Sequence, residues 1–61
     1  MQGDWENQMK ILIIEDNNEI SEMLATILAA DYTVQQAYSG TEGLLLFQQD
    51  AFDLILLDRM L

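Results

Sequence analysis

Lys10-Ile11-Leu12-Ile13-Ile14-Glu15-Asp16-Asn17 is the stretch on which the fold turns. Its four consecutive apolar residues, three of them β-branched, read as a strand covered on both faces, as in a parallel sheet. Its carboxyl end runs straight into two acids. From Asn17 the period changes: Ile20, Met23, Leu24, Ile27 and Leu28 fall at helical spacing, with Glu19 and Glu22 on the other face. With asparagine available to cap its start, this predicts an amphipathic helix ending near Ala30. Thr33-Val34-Gln35-Gln36-Ala37-Tyr38 alternates too weakly for a central strand and reads as an edge strand. Ser39 and Glu42 stand at capping-box spacing before Leu44, Leu45, Leu46 and Phe47, so a second helix starts there. Three successive leucines cannot share one buried stripe, so at least one faces a missing or partner surface. Leu54-Ile55-Leu56-Leu57 then reads as a second doubly buried strand, ending at Asp58.

The order is therefore β-α-β-α-β, an α/β class. Right-handed crossovers make the strands parallel and put the helices on the sheet faces. The two most apolar strands belong side by side, with the weaker one at the edge, giving order 2-1-3. Residues 1–8, polar and without period, read as a flexible leader in which Trp5 has no assigned role; residues 9–61 carry the fold.

Composition narrows the chemistry. Sixty-one residues hold one domain at most, near the size at which a single core is marginal. There is no cysteine and no histidine, so a disulfide framework or a thiolate or imidazole zinc site cannot be built. Any metal must be held by oxygen. Eleven acids against Lys10 and Arg59 give a net charge of -9, which repels nucleic acid and suits a basic partner or a hard divalent cation. Most of these acids need no role beyond solubility; Asp31, Asp50 and Asp53 are read that way. The longest apolar runs are four residues, far short of a membrane span. The acidic amino terminus is not a secretory signal, and a cytoplasmic location is expected.

Parallel sheets bind ligands beyond the carboxyl ends of their strands, where the winding reverses. Here that point lies between the first and third strands. With strands about 4.8 Å apart, Glu15, Asp16 and Asp58 converge within reach of one ion. Such a cluster is tolerable around a divalent cation, and an oxygen set with several waters suits Mg²⁺. Asp58 is then the candidate nucleophile, forming an acyl phosphate.

Met9-Lys10-Ile11-Leu12-Ile13-Ile14-Glu15-Asp16-Asn17 and Phe52-Asp53-Leu54-Ile55-Leu56-Leu57-Asp58-Arg59-Met60-Leu61 resemble the opening and the phosphorylation segment of bacterial two-component response-regulator receivers. The resemblance covers residues 9–61. It implies the amino-terminal half of a doubly wound, flavodoxin-like receiver fold. Asp58 resembles the phosphoacceptor, Glu15 and Asp16 the acidic metal-binding pair, and Met60 the residue whose backbone carbonyl completes the Mg²⁺ shell. The implied phosphodonor is a sensor histidine kinase docking on the first helix, in a phosphorelay controlling transcription. The chain is thus expected to be a signalling phosphoprotein and not an enzyme.

The departures matter too. The family's hydroxyl and lysine residues, on a fourth and a fifth strand, have no counterpart before Leu61. Lys10 cannot substitute, because five residues at about 3.3 Å each put it some 16 Å from Glu15. The third strand keeps an open edge, which predicts a homodimer, a swapped assembly or a segment of a longer protein. Two rival readings stand beside the receiver. One is a fragment with no phosphorylation activity. The other is an aspartate-nucleophile phosphohydrolase of the haloacid-dehalogenase-like kind, which needs a second acid where this chain has Met60.

Overall fold

A computed structural model describes residues 9–57. The order is β1 (Lys10–Ile14), α1 (Asn18–Leu28), β2 (Thr33–Ala37), α2 (Gly40–Gln49) and β3 (Leu54–Leu57). All strands are parallel, in the order β2-β1-β3. The predicted leader, with Trp5, and the segment from Asp58 to Leu61 lie outside the described residues.

β1 is central because its side chains are apolar on both faces. Ile11, Leu12 and Ile13 are buried. Gln36 of β2 pairs with Ile13 in the ladder and donates from Nε2 to Ser21 Oγ of α1 at 2.8 Å. The face of Ile11 and Ile13 therefore belongs to α1, and that of Leu12 and Ile14 to α2. Ser21 is fully buried; its hydroxyl gives the Gln36 amide a partner where an unpaired polar group would be costly.

α2 comes close to the sheet at Gly43. A Cβ there would fall 2.8 Å from Ile14 Cγ1, and closer still to Cδ1. Only the lack of a side chain permits this approach. Both helices begin with the caps expected of them. Asn17 Oδ1 accepts from the Ile20 N–H at 3.1 Å, and Ser39 Oγ from the Glu42 N–H at 3.1 Å. Glu42 reaches back one residue further than a standard capping box, accepting from the Tyr38 N–H at 2.9 Å.

Three expectations are corrected. α1 ends at Leu28 and β2 at Ala37, short of Ala30 and Tyr38. On α1, Met23 and Ile27 are exposed, because the helix turns Ser21, Leu24 and Leu28 toward the sheet instead. β3 is not doubly buried: Leu54, Ile55 and Leu57 expose 45%, 40% and 62% of their surface. Both helices pack over β1 and β2 and neither over β3, so among the described residues β3 has a neighbour on one edge only. The surplus of leucine on α2 is as expected, with Leu44, Leu45 and Phe47 all exposed.

Candidate functional site

At the carboxyl end of β1 the ladder continues one residue past the strand, through the Glu15 N–H to the Ala37 carbonyl at 3.0 Å. This turns the Glu15 side chain inward, to 1% exposure. Its Oε2 accepts the Asn17 N–H at 2.9 Å, while the Asn17 side chain caps α1 and its carbonyl accepts from the Ser21 N–H at 2.9 Å. Asn17 thus joins the buried carboxylate to the helix start, a double role that its reading as a cap alone missed. Asp16, between them, is exposed. The adjacent acids have separate surroundings: Glu15 is built into the turn and Asp16 faces solvent.

β3 arrives at the same end. Ile14, the residue before Glu15, pairs with Leu57, the residue before Asp58. Asp58 and Met60, predicted as phosphoacceptor and carbonyl ligand, lie outside the described residues together with Arg59. The predicted three-carboxylate cluster therefore has two described members, Glu15 and Asp16. Among the described residues no three acids stand close enough to hold a metal ion. The donor chemistry still fits a hard divalent cation, since the turn offers carboxylate oxygen from two consecutive acids, the exposed Asp16 and the buried Glu15. Both helices follow strand carboxyl ends, so the positive ends of their dipoles lie on this side of the sheet.

The amino end is organised differently. Lys10 Nζ is bonded to Asp50 Oδ2 and lies 5.3 Å from the centre of the Phe52 ring. The Lys10 N–H donates to Asp53 Oδ2 at 2.8 Å, and the Asp53 N–H returns a bond to the Lys10 carbonyl at 2.8 Å. Lys10 is committed here, at the far end from Glu15, as its place at the strand start predicted. The Asp50 carboxyl is held below its ordinary range, first by the hydrogen bond from Lys10 and then by the Ala51 N–H. Asp50 and Asp53, read from sequence as solubilising acids, instead fasten the chain entering β3. Pairings across 40 and 43 residues leave no local signal to read.

The sequence model of the response regulator receiver domain matches residues 11–61. The chain is 43% identical over 51 residues to an uncharacterized transcriptional regulatory protein, YcbL, of Bacillus subtilis, covering 82% of this chain and 23% of that protein. It is 36% identical over 53 residues to the regulatory protein VanRc of Enterococcus gallinarum, covering 85% and 23%. With the transcriptional regulatory protein DltR of Streptococcus agalactiae serotype III it shares 39% over 54 residues, covering 87% and 24%. The chain spans about a quarter of the length of these curated relatives. No solved structure matches.

Proposed function

The chain belongs to the response regulator receiver domain family, and from that premise we propose that it accepts a phosphoryl group on Asp58 from a sensor histidine kinase, with Mg²⁺ held at the acidic end of the sheet. One observation carries this reading. The pairing of Ile14 with Leu57 sets the chain positions preceding Glu15–Asp16 and Asp58 side by side, where the winding of the sheet reverses.

In the transfer, the P–N bond of a phosphohistidine breaks as a bond forms from an Asp58 carboxylate oxygen to phosphorus, and the imidazole leaves. Mg²⁺ supplies charge neutralisation for the phosphoryl oxygens. The chain's own part is to orient. The backbone–carboxylate bond between Asn17 and Glu15 keeps the turn in one conformation, and that conformation leaves the Asp16 carboxylate free to bind the ion. The Met60 carbonyl is assigned as a further oxygen ligand. The kinase docks along α1, where Met23 and Ile27 offer exposed apolar surface. Signalling of this kind is not enzymatic turnover; Met60, where a phosphohydrolase of the rival kind needs its second acid, supports that assignment.

The relatives' names, two of which denote transcriptional regulation, support the control of transcription as the output of the longer proteins in which this segment occurs. No helix among the described residues is long and apolar enough to cross a membrane, which suits a cytoplasmic phosphorelay. The test is intact mass after incubation with Mg²⁺ and a small acyl phosphate. A single phosphate increment, absent in Asp58→Asn and absent when Mg²⁺ is chelated, is expected. No increment in the unmodified chain would favour the fragment reading, in which the fold persists without phosphorylation. Steady release of phosphate from a phosphomonoester would instead revive the hydrolase.

A further inference from the structure

We propose that Ser21 and Gln36, neither of which is an ion ligand, are positioning residues that hold Asp16 where its carboxylate binds Mg²⁺. The inference rests on the function proposed above.

Four hydrogen bonds close a ring around the acidic turn. The Glu15 N–H donates to the Ala37 carbonyl at 3.0 Å. Gln36, the neighbour of Ala37 in β2, donates from Nε2 to Ser21 Oγ at 2.8 Å. The Ser21 N–H donates to the Asn17 carbonyl at 2.9 Å, and the Asn17 N–H returns to Glu15 Oε2 at 2.9 Å. The end of β1, the first turn of α1 and the end of β2 thus meet in one circuit. Asp16 takes part in none of these bonds. It is the covalent bridge between two members, Glu15 and Asn17, and it faces solvent. Where its carboxylate stands is therefore set by the ring.

The Ser21–Gln36 bond is the link that depends most on residue choice. The other three use a backbone group on at least one side, whereas this one joins two side chains. Ser21 is the residue that α1 buries, while Met23 and Ile27 stay exposed. The helix thus turns a polar residue inward although apolar ones were at hand. Apolar packing alone would hold α1 down and leave it free to slide and roll along the sheet. A buried hydrogen bond fixes distance and angle. The pair therefore selects one seating of α1 against β2, and Asn17 carries that seating to the turn. Binding groups need placing to within about 0.5 Å, a tolerance that directional bonds meet.

The test separates positioning from support. Ser21→Ala deprives the Gln36 amide of its partner. Adding Gln36→Leu makes both sides apolar, a replacement that is nearly neutral for stability. The double variant is expected to recover the parent's urea midpoint in the absence of Mg²⁺. Its Mg²⁺ dissociation constant, read from the side-chain carboxyl carbon of Asp16 by NMR, should stay about threefold to tenfold above the parent's. The Asn17 N–H should exchange with solvent faster than in the parent, while that of Leu12, buried in the middle of β1, exchanges at the parent's rate. Recovery of affinity together with the midpoint would make the pair merely structural and overturn the proposal, as would a double variant that does not fold. Unchanged Asn17 exchange would break the ring as a route from Ser21 to the turn. A parent in which Mg²⁺ leaves the Asp16 carbon unmoved would instead overturn the proposed ion site; faster Asn17 exchange would still uphold the ring as the support of the turn.

Discussion

The two ends of the sheet are both rich in acid and use it in opposite ways. At the amino end, Asp50 and Asp53 close on Lys10, the one cation among the described residues, and fasten β3 to β1. At the carboxyl end, Glu15 is taken up by the turn and Asp16 is left to solvent. The same side chain is thus a structural fastening where a cation and free backbone donors are supplied, and a candidate ligand where they are not. Chemistry is segregated from mechanical support by the length of β1.

The largest effect should come from the strand that joins the two ends. Leu12 is fully buried at the middle of β1. Truncation to alanine costs about 2–5 kcal/mol, comparable with the roughly 3–5 kcal/mol that a core of this size supplies. Leu12→Ala is expected to lose its helical circular dichroism at 25 °C, and with it both ends together. A folded Leu12→Ala would mean that β1 is not the shared support.

Within the carboxyl end, Glu15 and Asp16 should separate by experiment. Glu15→Ala removes a buried acceptor from the Asn17 N–H and should cost about 1–3 kcal/mol in urea unfolding. Asp16→Ala, at an exposed position, should lie within about 0.5 kcal/mol of the parent. Mg²⁺ should raise the parent's unfolding midpoint, by about 1.4 kcal/mol at ten times its dissociation constant, and leave that of Asp16→Ala unmoved. An intact Mg²⁺ response in Asp16→Ala would assign the ion to other oxygens.

At the amino end the corresponding change is smaller. Asp53→Ala leaves the Lys10 N–H without its acceptor and should cost about 1 kcal/mol. Phosphate incorporation, read at the opposite end by mass, should proceed at the parent's rate in the folded protein. A slowed incorporation would show that the ends are coupled.

These differences explain which parts of the molecule were legible in the sequence. The unbroken Ile11–Ile14 run, and the caps at Asn17 and Ser39, are local patterns, and the order 2-1-3 follows from two strongly apolar strands, the first and the third, against a weaker second. The burial of Leu54–Leu57 is not legible in the same way, because apolarity reports what a strand can bury and not whether a helix lies over it. The burial of Ser21 leaves no local signal, since its partner Gln36 is 15 positions away. Met23 and Ile27 fit the helical stripe as well as Leu24 does; only the roll of α1 on the sheet distinguishes them. At the site, the paired acids were visible as a motif. Their division into a buried turn acid and an exposed one depends on the Asn17 N–H, which no pattern of residue types announces.

The smallest expected effect tests the amino-end pairing by acid. Asp50 has its carboxyl lowered, chiefly by the Lys10 hydrogen bond. A folded-state value below the unfolded one means that the contribution is present above the ordinary aspartate range and lost as pH falls through the folded value. The window therefore lies below about pH 4. In the same window, protonation of the other acids relieves the repulsion of a chain at -9, an effect of opposite sign, and Asp50 is half exposed, so a bulk unfolding curve would mix the two. The side-chain carboxyl carbon of Asp50, followed by NMR, isolates the local term. In the parent it should titrate at lower pH than in Lys10→Met, in which the ammonium is gone and the chain stem kept. Coincident titrations would show that Lys10 is held by Phe52 and Asp53 and not by Asp50, and the fastening would reduce to one acid.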